Sequence, residues 1–157
     1  MFSKLTAPRV LWSMVPAGDV TDEALEEFAK YASKGDIFVD GGNSNFHDSQ
    51  RRAAKYTELG FHYLDIGVSG GVWGLQNGYA LMVGGKTENV ARVQPAFDAL
   101  KPPGDFGFVH VGKQPGAGHV ATTVQNGIEY GVNRAYAQGP RPRAPPPPAT
   151  PVARTLP

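Results

Sequence analysis

One stretch of the chain sets Thr122, Asn126, Glu129 and Asn133 at intervals of four, three and four, a polar stripe if the segment is helical. Glu129 is a candidate acid and Asn126 a candidate hydrogen-bond donor, with His119 one turn before Thr122. A glutamate acts as general acid only when burial beside a ligand raises its pKa, and such a stripe read by itself is a solvated helix face. His119 reads more readily as a cap or surface residue than as a base. Three glycine-rich stretches could bring backbone close to a ligand: Val15-Pro16-Ala17-Gly18, Gly41-Gly42-Asn43-Ser44 and Val68-Ser69-Gly70-Gly71.

These residues need elements to hold them. The apolar run 9–15 (RVLWSMV), stopped by Pro16-Ala17-Gly18, reads as a buried strand and its turn. Thr21 reads as the N-cap of a helix with Asp22 and Glu23 in its first turn and Leu25, Phe28, Ala29 and Ala32 on one face. A strand over 36–40 runs into the Gly41 loop, a helix follows over 48–59, and 62–66 is the next strand. Residues 80–83 form another strand, Thr87 caps a helix with Val90, Val93, Phe97 and Leu100 inward, and 105–111 is a further strand. Residues 117–138 read as one long helix, its apolar side carrying Val120, Val124, Ile128, Val132 and Ala135. Alternating strands and helices predict an α/β sheet with right-handed crossovers, in which ligands bind at loops beyond the strand ends.

Composition narrows the field. Gly (20) and Pro (14) make up about 22% of the 157 residues against roughly 12% in average usage, and eight of the prolines lie beyond Gly139. Residues 139–157 are therefore expected to be a disordered, partly polyproline tail, weak as an SH3-type ligand, on a body long enough for one domain. The formal charge is +1 with three arginines in that tail, so no nucleic-acid or membrane footprint is expected. Absence of cysteine removes disulfides and thiolate chemistry, and His47, His62, His110 and His119 lack metal-ligand spacing. No secretory segment or apolar span of about 20 residues is present, and a cytoplasmic protein is expected. The sequence has neither G-x-G-x-x-G after a first strand nor a GxxxxGK[ST] loop. Gly116-Ala117-Gly118 opens a helix that could bind an anion.

The strings MVPAGD, KGDIFVDGGNSNFHDSQRR, GVSGGVWGLQNGYALMVGG and GAGH...NGIEYG, in this order and spacing, resemble the 6-phosphogluconate dehydrogenase family in its shorter bacterial form. The likeness runs from about residue 4 to about residue 139. It implies a partial Rossmann-like, doubly wound α/β sheet over residues 1–116 that lacks the first βαβ. An interdomain helix over 117–138 then opens an all-α domain, and 139–157 is the tail. It also implies NAD or NADP as cofactor, no metal, and oxidative decarboxylation of 6-phosphogluconate to ribulose 5-phosphate in the pentose phosphate pathway. By the same resemblance Val15, Pro16 and Ala17 lie beside the cofactor, and Asn43 touches cofactor and substrate. Ser69, Gly70, Gly71, Asn126 and Tyr130 hold substrate, and Glu129 protonates the enediol.

Two positions depart from the family pattern. Thr122 stands where the family has its general-base lysine, and Gln125 where it has a histidine. A threonine hydroxyl takes up no proton near neutral pH, and loss of a positioned base costs about 10²–10⁴-fold. The chain also reads as truncated at both ends, without the all-α domain through which the family forms homo-oligomers. The expectation is therefore a chain impaired or inactive alone. The alternatives are a catalytically dead sugar-phosphate-binding module, or a β-hydroxyacid dehydrogenase in which Lys113 or His119 serves as base.

Overall fold

The computed structural model describes residues 4–138; the expected proline-rich tail lies outside the described residues. Five strands form one sheet in the order β1 (Val10–Ser13), β2 (Ile37–Asp40), β3 (His62–Ser69), β4 (Ala80–Gly84) and β5 (Phe108–Gly112). The helices are α1 (Asp19–Tyr31), α2 (Phe46–Glu58), the single-turn α3 (Gly74–Asn77), α4 (Thr87–Leu100) and α5 (Ala117–Gln138). β1, β2 and β3 pair in parallel, as do β4 and β5, while β3 and β4 run antiparallel. That reversal departs from the uniform crossovers expected from sequence. Only residues 70–79 join β3 to β4, fewer than the dozen or more a parallel crossover needs.

Alternation along the strands sorts side chains to two faces. Ile37, Val39, Leu64, Ile66, Leu81 and Val83 pack under Val90, Val93 and Phe97 of α4. Leu11, Phe38 and Tyr63 pack with Leu25 of α1 and with Ala53 and Tyr56 of α2. Helices thus cover both faces, as in a doubly wound α/β sheet.

Several boundaries shift for identifiable reasons. Helix α1 begins after Gly18, not at Thr21, because the buried Thr21 hydroxyl donates to the Pro16 carbonyl (2.9 Å) and holds the preceding loop. Thr87 is the first residue of α4 rather than its cap; Lys86 precedes it and makes no side-chain cap bond. Strand β5 starts at Phe108 because Gly107 takes φ +86°, which a strand does not accept. β3 runs past Ile66 through Gly67 to Ser69, since Val68 and Ser69 pair with Leu81 and Ala80. Gly67 is thus a strand residue whose missing side chain admits α5.

The long helix has the expected bounds but presents the opposite side. Its buried residues are Gly118, His119 and Thr122, whereas Val120, Val124, Ile128 and Val132 are exposed. Backbone proximity decides this: a β-carbon on Gly118 would lie 2.5 Å from the carbonyl oxygens of both Asp65 and Met82, so the helix can seat only with Gly118 against the sheet. Residues 127–138 are exposed all round, a projection of roughly 18 Å at the helical rise.

Candidate active site

The three glycine-rich loops meet at the carboxyl ends of the parallel strands. Met14 and Val15 follow β1, Gly41, Gly42 and Asn43 follow β2, and Gly67, Val68 and Ser69 end β3. Together with Thr122 and Asn126 of α5 they line a cavity of about 380 Å³, a size that suits a small-molecule ligand. Glycine is required in its walls. A β-carbon on Gly41 would run into the Trp12 indole and the Met14 sulfur, and one on Gly42 would lie 2.8 Å from the Val15 carbonyl oxygen.

Asn43, Ser69 and Asn126 contribute side-chain donors and acceptors that make no hydrogen bond to any other described residue. Thr122 differs. It is buried, its hydroxyl donates to the Gly118 carbonyl at 3.1 Å, and it lies 3.6 Å from the Met82 sulfur. The remaining residues singled out from sequence lie outside the lining of the cavity. Pro16, Ala17, Gly70 and Gly71 are exposed beside the lining residues Val15 and Ser69, and Tyr130 is exposed one turn beyond Asn126. Glu129 is also exposed, two turns beyond Thr122 on the same stripe of α5, and its carboxylate accepts from Gln125 Nε2 at 2.7 Å.

Behind the cavity stands a buried charge network that sequence reasoning missed. The Arg52 side chain is fully buried and donates to Asp22 Oδ1 (2.9 Å), Asp40 Oδ2 (3.2 Å), Ser44 Oγ (3.1 Å) and the Gly18 carbonyl (3.0 Å). One guanidinium therefore pins the loops that follow β1 and β2. Its fork suits this task because its donors are fixed in one plane. Arg52 holds the Asp22 carboxyl down to about 2, with a smaller contribution from Arg51. Tyr63 donates to the same Asp40 oxygen (3.1 Å), and burial, reinforced by the Asp40 charge, pushes its phenol well above the usual range. A signal was present in the sequence: Arg52 falls on the same side of α2 as Ser49, Ala53 and Tyr56, the buried side.

His119 is neither a surface residue nor a free base. It is 2% exposed, with Nδ1 2.7 Å from Ser49 Oγ and Nε2 3.0 Å from the Gly42 carbonyl oxygen. Asp65, fully buried, accepts from the main-chain N–H of Gly116 (2.7 Å) and of His119 (3.0 Å), filling the anion position at the start of α5 with a carboxylate of the chain itself. Ser49, His119 and Asp65 form no nucleophilic relay, because Ser49 and Asp65 both approach Nδ1 and Nε2 is engaged by a carbonyl. Among the described residues no cluster of three or more His, Cys, Asp or Glu side chains could hold a metal, and no helix is long and apolar enough to cross a membrane.

Residues 1–105 match the family model of the NAD binding domain of 6-phosphogluconate dehydrogenase. The chain is 40% identical over 139 residues to the NAD(+)-dependent, decarboxylating 6-phosphogluconate dehydrogenase of Haloferax volcanii, covering 88% of this chain and 45% of that protein. It is 42% identical over 132 residues to the decarboxylating enzyme of Haemophilus influenzae, covering 82% and 27%. Among solved structures, Plasmodium falciparum 6-phosphogluconate dehydrogenase, determined with NADP+ and with 6-phosphogluconate, superposes with a TM-score of 0.78 at 30% identity, covering 87% of this chain and 30% of that one. The chain thus spans less than half the length of these relatives. The match of residues 1–105 to that domain places the chain in the 6-phosphogluconate dehydrogenase family.

Proposed function

We propose that this chain carries the substrate-side half of the active site of an NAD(P)-dependent decarboxylating dehydrogenase acting on 6-phosphogluconate. The observation that carries the reading is the convergence of Asn43, Ser69 and Asn126, all without hydrogen-bond partners among the described residues, on one glycine-walled cavity. Unpartnered amide and hydroxyl groups at that position suit a polyhydroxylated acid, because each ligand hydroxyl both donates and accepts. Ser69, with Gly70 and Gly71 beyond it, and Asn126 bind substrate, with Tyr130 one turn further along α5. Val15, Pro16 and Ala17 form the wall that takes the nicotinamide end of the cofactor, and Asn43 lies between the two. When bound, the cofactor supplies the hydride acceptor for oxidation at C3. Glu129 is the proton donor to the enediol left after CO2 departs, a role that requires its carboxyl to leave Gln125 and swing back along the stripe it shares with Thr122 and Asn126.

The base is the weak point. The Thr122 hydroxyl is committed to the Gly118 carbonyl and takes up no proton near neutral pH. The chain therefore binds substrate but turns it over poorly. Calorimetry with 6-phosphogluconate alone, and reduced-cofactor absorbance with NAD or NADP present, tests both parts. Binding heat with little or no turnover is the expected result; no heat at millimolar substrate overturns the reading.

A further inference from the structure

We propose that His119 is a positioning residue that fixes the loop carrying Asn43 against the helix carrying Asn126, setting the width of the cavity. The inference rests on the reading of that cavity as the ligand site. Three elements meet at this one residue. Its Nε2 reaches the Gly42 carbonyl at 3.0 Å, and that oxygen belongs to the peptide group linking Gly42 to Asn43. Its Nδ1 reaches the Ser49 hydroxyl on α2 at 2.7 Å. Its main-chain N–H is held by Asp65 of β3 at 3.0 Å. His119, Thr122 and Asn126 follow one another at i, i+3 and i+7, so they share a face of α5.

The partners assign the tautomer. A carbonyl only accepts, so Nε2 carries the proton, and in the neutral ring Nδ1 accepts from the Ser49 hydroxyl. With both ring nitrogens engaged and the backbone anchored, the ring has one orientation. The Gly42–Asn43 peptide plane is therefore referenced to α5 and not merely to β2. Glycine at 41 and 42 gives this loop unusual freedom, which is why it needs an external tether. A lining side chain displaced by about 1 Å can lose a large part of its effect on a bound ligand.

Isotope-labelled full-length protein provides the test. In ligand-free protein, His119→Ala should shift the Gly42 carbonyl and Asn43 amide resonances, and 6-phosphogluconate affinity should fall roughly tenfold. His119→Gln, whose Nε2 reaches about as far as that of histidine, should restore both toward wild type. Ser49→Ala, which frees the ring while keeping its bond to Gly42, should act in the same direction as His119→Ala but less, and it serves if the alanine variant does not fold. Unchanged Gly42 and Asn43 resonances in the folded variants overturn the proposal. So does a loss of affinity that tracks the melting temperature and is not rescued by glutamine, since that marks a purely structural role. If the wild-type protein binds no 6-phosphogluconate, the functional reading fails, while the ligand-free resonances still decide the tether.

Discussion

The Thr122 hydroxyl occupies the space that a β-carbon on Gly67 would need, so α5 and β3 touch through a strand glycine and a helix threonine. Gly67→Ala should consequently destabilise the fold by about 1–3 kcal/mol, the usual range for overpacking a close contact. Adding Thr122→Ala should relieve only part of this, because the Thr122 β-carbon itself lies 2.6 Å from where the new methyl group would sit. Urea unfolding of both variants measures it; a wild-type midpoint for Gly67→Ala would show that the helix can retreat at no cost.

Replacing Thr122 by lysine should change activity. Thr122 lines the cavity with Gly67, so a lysine there would carry its amine toward Asn43, Ser69 and Asn126. A restored base should raise turnover of 6-phosphogluconate by about 10²–10⁴-fold over the wild-type chain. Reduced-cofactor formation by the two proteins under identical conditions gives the ratio, and equal rates count against the missing base as the limiting defect.

Asn126→Ala should separate binding from stability. The amide is half-buried and makes no hydrogen bond within the described protein, so its removal should move stability by no more than about 0.5 kcal/mol. Affinity for 6-phosphogluconate should drop measurably. Calorimetry and thermal unfolding of the same preparation read the two effects, and a large stability loss would mean that Asn126 is structural.

Arg52→Met should be far more costly. The guanidinium and Asp40 are both fully buried, and removing one partner leaves the other as an uncompensated charge, a loss of about 3–5 kcal/mol. Denaturant unfolding tests this, with Arg51→Met as the control, because Arg51 is half-exposed and its ion pairs contribute little.

Acid should weaken the fold through Asp22. Its carboxyl, ordinarily 3.8, sits at about 2 because Arg52 hydrogen-bonds it. A depressed folded-state value means that the ionised form stabilises the protein at higher pH. The contribution is complete above the unfolded value and is lost as pH falls from 3.8 toward about 2. Asp36 adds in the same direction: burial raises its carboxyl, but the hydrogen bonds from the Arg9 and Ser33 main-chain N–H groups and the Arg9 side chain outweigh this. Asp22→Asn should flatten the dependence of unfolding midpoint on pH in this window; an unchanged slope would remove Asp22 as its source.

Local sequence chemistry determined much of the architecture. The strands β1 to β5 and helices α1, α2, α4 and α5 were legible because apolar spacing and glycine stops act within a few residues. The family strings marked Asn43, Ser69 and Asn126, which line the cavity. What the sequence did not decide was orientation and partnership. Val120, Val124 and Ile128 looked like the buried side of α5, but close backbone approach at Gly118 turned His119 and Thr122 inward. Gly67 looked like the start of a loop and is a paired strand residue, because its ladder partner Met82 lies fifteen positions away. Arg52 with Asp40, and His119 with Gly42, are contacts across 12 and 77 positions. Spacing rules reach one or two helical turns, so only the tertiary structure could show that a buried arginine and a buried histidine hold the loops of this site in place.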